Sequence, residues 1–243
     1  MKISLGQAVL GASLIVLAVG CCTYLWLSGR DARFANPVDP LDKIGDSSYS
    51  SEFPEVDWAA WQSVNPDIVG WISVPGTEIS YPVVAASSAN PTWYLTHDVY
   101  GNFNLFGSIY LDAACEDNLF AQNAVISGHH MRDGSMFAAL ANFADEDWAC
   151  DHQTVLVQTP SARRVYEVEF VRVVNAKNEP KRCNFASSED FSNWYGSQRA
   201  HADVMLDRLS QPDQVMSLVT CSYGRWANER TVVYCSQMDP APH

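Results

Sequence analysis

The sequence predicts a mainly β protein, an antiparallel or mixed barrel or sandwich built from eight short strands. Two observations carry this prediction. Short β-branched and aromatic runs recur between turn signals, and no regular alternation of strand and helix of the βαβ kind is visible. The longest run, Arg164 to Val174, alternates with period two, setting Tyr166, Val168 and Phe170 on one face and Glu167 and Glu169 on the other.

Taken in order, the chain opens on an uncharged stretch, Ile3 to Leu27, long enough to span a bilayer core as a helix of about 20 apolar residues. A cleaved signal peptide has a shorter apolar region of about 7–15 residues, so residues 1–28 are expected to form an uncleaved transmembrane anchor. Lys2 flanks one side and Arg30 and Arg33 the other, so charge bias alone does not orient it. Ala18-Val19-Gly20-Cys21 only loosely resembles a lipoprotein cleavage box. Residues 29–55 turn polar and irregular, with Pro37, Pro40, Pro54 and a serine cluster, and read as a tether.

A folded domain is expected over 56–238. Asp57 is placed to cap a short helix carrying Trp58, Trp61 and Val64, which Asn65-Pro66 ends; the two tryptophans form its packing face. The strand runs are Ile68 to Val74, Ile79 to Val84, Ser108 to Leu111, Ala124 to Ser127, Thr154 to Thr159, Arg164 to Val174, Val215 to Cys221 and Thr231 to Cys235. Two helices interrupt them. Ser135 to Phe143 has apolar residues at helical spacing, and Ser187 to Leu209 opens on a capping pattern, Ser187 then Asp190, with Gly196 a candidate break.

The net charge of −13 argues against nucleic-acid binding, which demands a basic surface. None of the seven cysteines forms a close CxxC pair, and no spacing suggests a zinc site or other metal or cofactor. If Cys221 and Cys235 lie on one antiparallel hairpin, symmetric pairing sets Cys235 opposite Met216. The two sulfurs are then about 17 Å apart, too far for a disulfide, and Cys221 stays free.

Cys221 ends one strand run, Arg230 opens the next, and His129 follows a third. A strand end holds a side chain rigidly while the adjoining loop admits substrate, so these three suit cysteine nucleophilic catalysis. A thiol attacks only as thiolate and needs a base or a cation beside it, which His129 supplies, while the tetrahedral intermediate needs donors for its oxyanion. A buried strand cysteine and a loop histidine pair, His129 and His130, are the bland alternatives, and Arg225 competes with Arg230 for the guanidinium role.

The chain resembles the class B sortases over about 170 residues. The resemblance runs through Asn65-Pro66-Asp67-Ile68-Val69-Gly70-Trp71-Ile72, Tyr81-Pro82-Val83-Val84 and Gly107-Ser108-Ile109-Tyr110-Leu111-Asp112. It continues through Gly128-His129-His130-Met131 with Gly134-Ser135-Met136-Phe137, then Leu218-Val219-Thr220-Cys221-Ser222-Tyr223 and Asn228-Glu229-Arg230-Thr231. It implies an eight-stranded sortase-type barrel with an N-terminal helix and a long helix before the cysteine-bearing strand. It also implies Cys221 as nucleophile, His129 as acid and base and Arg230 as the arginine, with substrate contacts at Thr220, Ser222, Leu95 and Asn90. Val219 stands where class B members often carry serine, and Asn90-Pro91-Thr92-Trp93 holds one extra residue relative to the family's asparagine-to-leucine spacing.

The implied reaction is transpeptidation at a cell membrane, by a single-pass enzyme with an extracellular catalytic domain. A surface protein is cleaved after threonine in a C-terminal sorting signal and passed to an amine of a cell-wall precursor or a pilin lysine. Two other readings use the same residues: a cysteine peptidase or L,D-transpeptidase acting on peptidoglycan, and a surface-binding barrel that has lost catalysis. The L,D-transpeptidases usually set their cysteine just after a His-Gly pair, which is absent around Cys221.

Overall fold

A computed structural model describes residues 53–116, 118–177, 181–206 and 211–238. The expected anchor over 1–28 and most of the tether over 29–55 lie outside the described residues, among which no helix is long and apolar enough to cross a membrane.

Helix α1 (Trp58–Val64) begins where predicted, with the Asp57 carboxylate accepting from Ala60 N at 3.0 Å, and ends at Asn65. Trp61 packs on Trp71 of the following strand with ring centroids 5.7 Å apart. The strands are β1 (Ile68–Ser73), β2 (Ser80–Ala85), β3 (Ile109–Leu111), β4 (Asn123–Ser127), β5 (Thr154–Gln158) and β6 (Arg163–Asn175), followed after a helix by β7 (Val204–Met205), β8 (Val215–Cys221) and β9 (Glu229–Gln237). Eight of them close on themselves in the order β1-β2-β3-β4-β8-β9-β6-β5, because β5 pairs with both β6 and β1. Closure removes the sheet edges, and the two-residue β7 merely extends β6. All eight predicted runs became barrel strands.

Two of the pairings are parallel, β2 with β3 and β4 with β8. Strands β4 and β8 are covered on both faces, which is why Asn123 to Ser127 and Val215 to Thr220 are buried without a break and read as continuous rather than alternating runs. Met216, Leu218 and Val233 belong to the apolar interior with Ile126, Phe137 and Phe143.

Four expectations are corrected. Ser135 to Phe143 forms a 3-10 helix at Ala138–Ala144, after Met136 has taken a left-handed conformation (φ 59°) and bridged to His130. The remaining helical turn there is α2 (Glu146–Asp151), capped by Asp145. Ser187 does cap the long helix, α3 (Ser188–Ala200), accepting from Asp190 N at 3.1 Å. That helix runs straight through Gly196 and stops at His201, because the chain must turn to pair Val204–Met205 with β6. Finally, a bulge between Val168 and Phe170 breaks the period of β6. Val168 then pairs with Cys235 and Phe170 with Tyr234, which are consecutive residues, so Val168 and Phe170 face opposite sides of the sheet.

That bulge builds one wall of the site. Phe170 stacks on Tyr234 at 4.5 Å, and Tyr195 of α3 packs on Phe170 at 5.6 Å. The bulged Glu169 is fully buried, bonded to the Ser236 hydroxyl and 3.6 Å from Arg199 of α3. Gln198 accepts from the Tyr234 hydroxyl at 3.2 Å and from Arg172. Helix α3 is thus fastened across β6 and β9 by both apolar and polar contacts.

Candidate active site

Register alone brings the three chemistry-bearing residues together. In the parallel β4–β8 ladder Ser127 pairs with Val219, so continuing two residues beyond that pair on each chain segment sets His129 level with Cys221. In the antiparallel β8–β9 hairpin Cys221 pairs directly with Arg230. Neighbouring strands lie about 4.8 Å apart, giving the order His129, Cys221, Arg230 across three adjacent strand ends. The same hairpin pairs Met216 with Cys235, the symmetric register expected from the sequence, and Cys221 is a free, half-buried thiol.

All three line one groove of about 410 Å³, within the range typical of small-ligand sites. Its floor is the face of β8 and β9 turned away from the barrel interior, with Ser217, Val219, Val232 and Tyr234; Trp194 and Gln198 of α3 form one wall. Lys181 and Arg182, from the segment before α3, add positive charge in a chain that is otherwise acidic. Lys181 is held by the Ser127 hydroxyl at 2.8 Å and by Asp112 at 3.4 Å.

The ends of β4 and β8 are clamped. Gly128 N donates to Val219 O and the Thr220 hydroxyl to Gly128 O, both at 3.1 Å. A Cβ on Gly128 would meet Ile109 Cδ1 at 2.3 Å and Phe137 Cγ at 2.9 Å, so only glycine permits this approach. Nε2 of His129 lies 2.8 Å from Leu95 O, and Nδ1 of His130 lies 2.9 Å from Cys221 O. A carbonyl only accepts, so the N–H of His129 is on Nε2 when the ring is neutral.

Glu229 organises the loop between β8 and β9. Its buried carboxylate accepts from Gly224 N at 2.9 Å and from Arg225 N. Burial pushes the Glu229 carboxyl up, but these donors, with Ser222 and Trp226 N, outweigh it and hold the group below the usual carboxylate range. Arg230 in turn donates to Glu229 O at 2.8 Å. Tyr223, whose ring packs edge-on against His130 at 5.4 Å, has its hydroxyl raised, first by desolvation and then by the adjacent Cys221 sulfur.

Not every expected residue meets in the groove. Leu95 lines it and also supplies the carbonyl that holds His129. Thr220 lines it too, with its hydroxyl donating to Gly128 O. Ser222 turns toward Glu229, outside the groove lining. Asn90 is exposed in a turn closed on Ser87, also away from the groove, consistent with the extra residue in its stretch. Arg225 points away and pairs with Asp203 at 2.9 Å, whereas Arg230 lines the groove. The groove residues absent from the sequence reading, Lys181, Trp194 and Gln198, come from a segment with no motif; only the wall itself reveals them.

Comparison with known proteins agrees with this architecture. The Sortase domain family model matches residues 72–238. Sortase B of Listeria monocytogenes is 30% identical over 163 residues, covering 66% of this chain and 65% of that protein, so the match spans just under two thirds of the relative's length. The crystal structure of Clostridium perfringens sortase B superposes with a TM-score of 0.68 at 28% identity, covering 74% of this chain and 99% of that one. The Staphylococcus aureus sortase B–substrate complex shares the fold, with a TM-score of 0.65 at 24% identity over 74% of this chain and 83% of that one.

Proposed function

Since the chain belongs to the sortase family, within its class B, we propose that it is a membrane-anchored cysteine transpeptidase acting on C-terminal sorting signals. The observation that supports this most is the register placing His129, Cys221 and Arg230 at three adjacent strand ends on one groove. In this reading the Cys221 thiolate attacks the carbonyl carbon after threonine. The oxyanion of the tetrahedral intermediate is met by the Arg230 guanidinium. His129, as imidazolium, gives its proton to the departing amine, leaving a thioacyl enzyme. A cell-wall precursor amine or a pilin lysine then attacks the thioester, His129 takes its proton, and Cys221 leaves as thiolate.

Each supporting group has a task here. The Leu95 carbonyl holds the His129 ring in place, and Glu229 fixes the loop that carries Cys221 into Arg230. Substrate binding falls to Leu95 and the wall of α3 rather than to Asn90, while Thr220 and Ser222 position the strand end and loop. The apolar stretch Ile3 to Leu27 is the expected membrane anchor, which sets the domain over 56–238 outside the cell membrane beyond a tether.

Incubating the full-length chain with a library of fluorogenic peptides, with and without an amine nucleophile, tests this. Transfer of the acyl fragment to the amine is the expected result. Hydrolysis that an amine leaves unchanged means a peptidase, and silence across the library means a binding barrel.

A further inference from the structure

Two thiols outside the catalytic set meet inside the protein. Cys115 lies at the end of the 3-10 turn after β3, Cys183 five residues before α3, and both are buried, at 3% and 5% exposure. Side-chain bonds join the two segments: Asn184 Nδ2 donates to Ala114 O at 3.0 Å, and Asn123 Nδ2 donates to Arg182 O at 2.6 Å. The Cys115 thiol donates to Asn123 O at 3.6 Å, Val125 N donates to the Cys115 sulfur at 3.4 Å, and the two sulfurs lie close enough to shift each other's ionisation. The residues just before Cys183 are Lys181 and Arg182, both on the groove wall.

We propose that Cys115 and Cys183 form a dithiol–disulfide pair, whose oxidation staples the Lys181–Asn184 wall of the groove to the barrel. The oxidant is a disulfide, small-molecule or protein-borne, of the kind found outside the cytoplasm. The Cys115 thiolate attacks one sulfur of the oxidant, forming a mixed disulfide and expelling a first thiolate. The Cys183 thiolate then attacks the Cys115 sulfur, closing the bridge and expelling the second. The two cysteines lose two electrons and two protons, and the oxidant is reduced to two thiols.

Cys115 is the first attacker. Val125 N, donating to its sulfur at 3.4 Å, favours its thiolate, and the contact between the two thiols lowers Cys115 and raises Cys183 from the ordinary thiol range. Because both sulfurs are buried, the 181–184 segment must lift before an oxidant reaches them, so exchange is slow compared with the half-buried Cys221. The bridge would close a loop of about 70 residues, whose unfolded entropy it removes.

The test uses the full-length chain carrying Cys221→Ser, so that the groove thiol takes no part. After incubation with oxidised glutathione, peptide mapping is expected to yield a linked Cys115–Cys183 peptide two hydrogens lighter than the reduced pair. The melting temperature is expected to rise by about 5–10 °C, reversed by dithiothreitol. Cys183→Ala is expected to abolish both the link and the rise, and should it fail to fold, mapping of the parent still decides. The proposal is overturned if both cysteines stay alkylatable after denaturation, if they pair elsewhere, or if the link forms without a shift in melting. None of these readouts depends on the transpeptidase reading.

Discussion

At the scale of single residues, the site is a set of side chains whose roles follow from what else they are bonded to. Arg225 and Arg230 are equal candidates from composition, but Arg225 is spent on Asp203 at the surface while Arg230 faces Cys221. Arg230→Ala is therefore expected to lower kcat/KM by about 10²–10³-fold, as loss of an oxyanion donor does. An exposed ion pair contributes about 0–1 kcal/mol, so Arg225→Ala is expected to stay within a few-fold of the parent. Steady-state kinetics on one transferred peptide compares the two.

Glu229 gives a prediction with a sign. Its carboxyl is depressed in the folded state, so its contribution to stability is present above the ordinary glutamate range near 4.3. That contribution is lost as pH falls through that range toward the folded value. Melting curves of the parent and of Glu229→Gln are expected to differ by a constant amount from about pH 6 to 7, with the gap narrowing progressively once pH falls below about 4.3. A gap that widens on acidification contradicts the assigned role.

At the scale of elements, the strands were legible and the positions of the helices only partly so. Every barrel strand is a run of β-branched or aromatic residues bounded by turns, and the hairpin partner of Cys235 follows from counting alone. Strand β7 has two residues and no pattern to read. The end of α3 is set by the sheet that Val204 must join, and the flip at Phe170 by a bulge; neither has a local signal. Of the residues expected at the site, Cys221, His129, Arg230, Thr220 and Leu95 share the groove, most of them because strand register is long-range but regular. Asn90 lies outside the groove lining, in a loop whose spacing is neither. The tightest joint is Gly128, where β4 passes Ile109 and Phe137. Gly128→Ala is expected to cost about 1–3 kcal/mol, as overpacking does, and to lower kcat by displacing His129. Denaturant unfolding and kinetics on one sample check both.

At the scale of the whole molecule, a closed barrel supplies three strand ends of fixed spacing, and one helix strapped across its outer face turns them into a groove. Closure pairs every one of the eight barrel strands on both sides, so on the proposed reading specificity belongs to the wall formed by α3 and the segment before it. The proposed anchor adds a prediction at this scale. The full-length chain is expected to sediment with membranes, and a chain lacking residues 1–28 to remain in the supernatant with its activity on free peptide intact. Recovery of the full chain in the soluble fraction rules out the anchor.

The most direct measurement is intact-mass spectrometry of the full-length chain incubated with a transferable peptide and no amine. One acyl fragment is expected on the chain, mapped to Cys221 and discharged when an amine nucleophile is added. It is expected to be absent from Cys221→Ala, which still melts like the parent. An adduct on another residue, or transfer at the parent rate by Cys221→Ala, contradicts the assignment of Cys221 as the nucleophile.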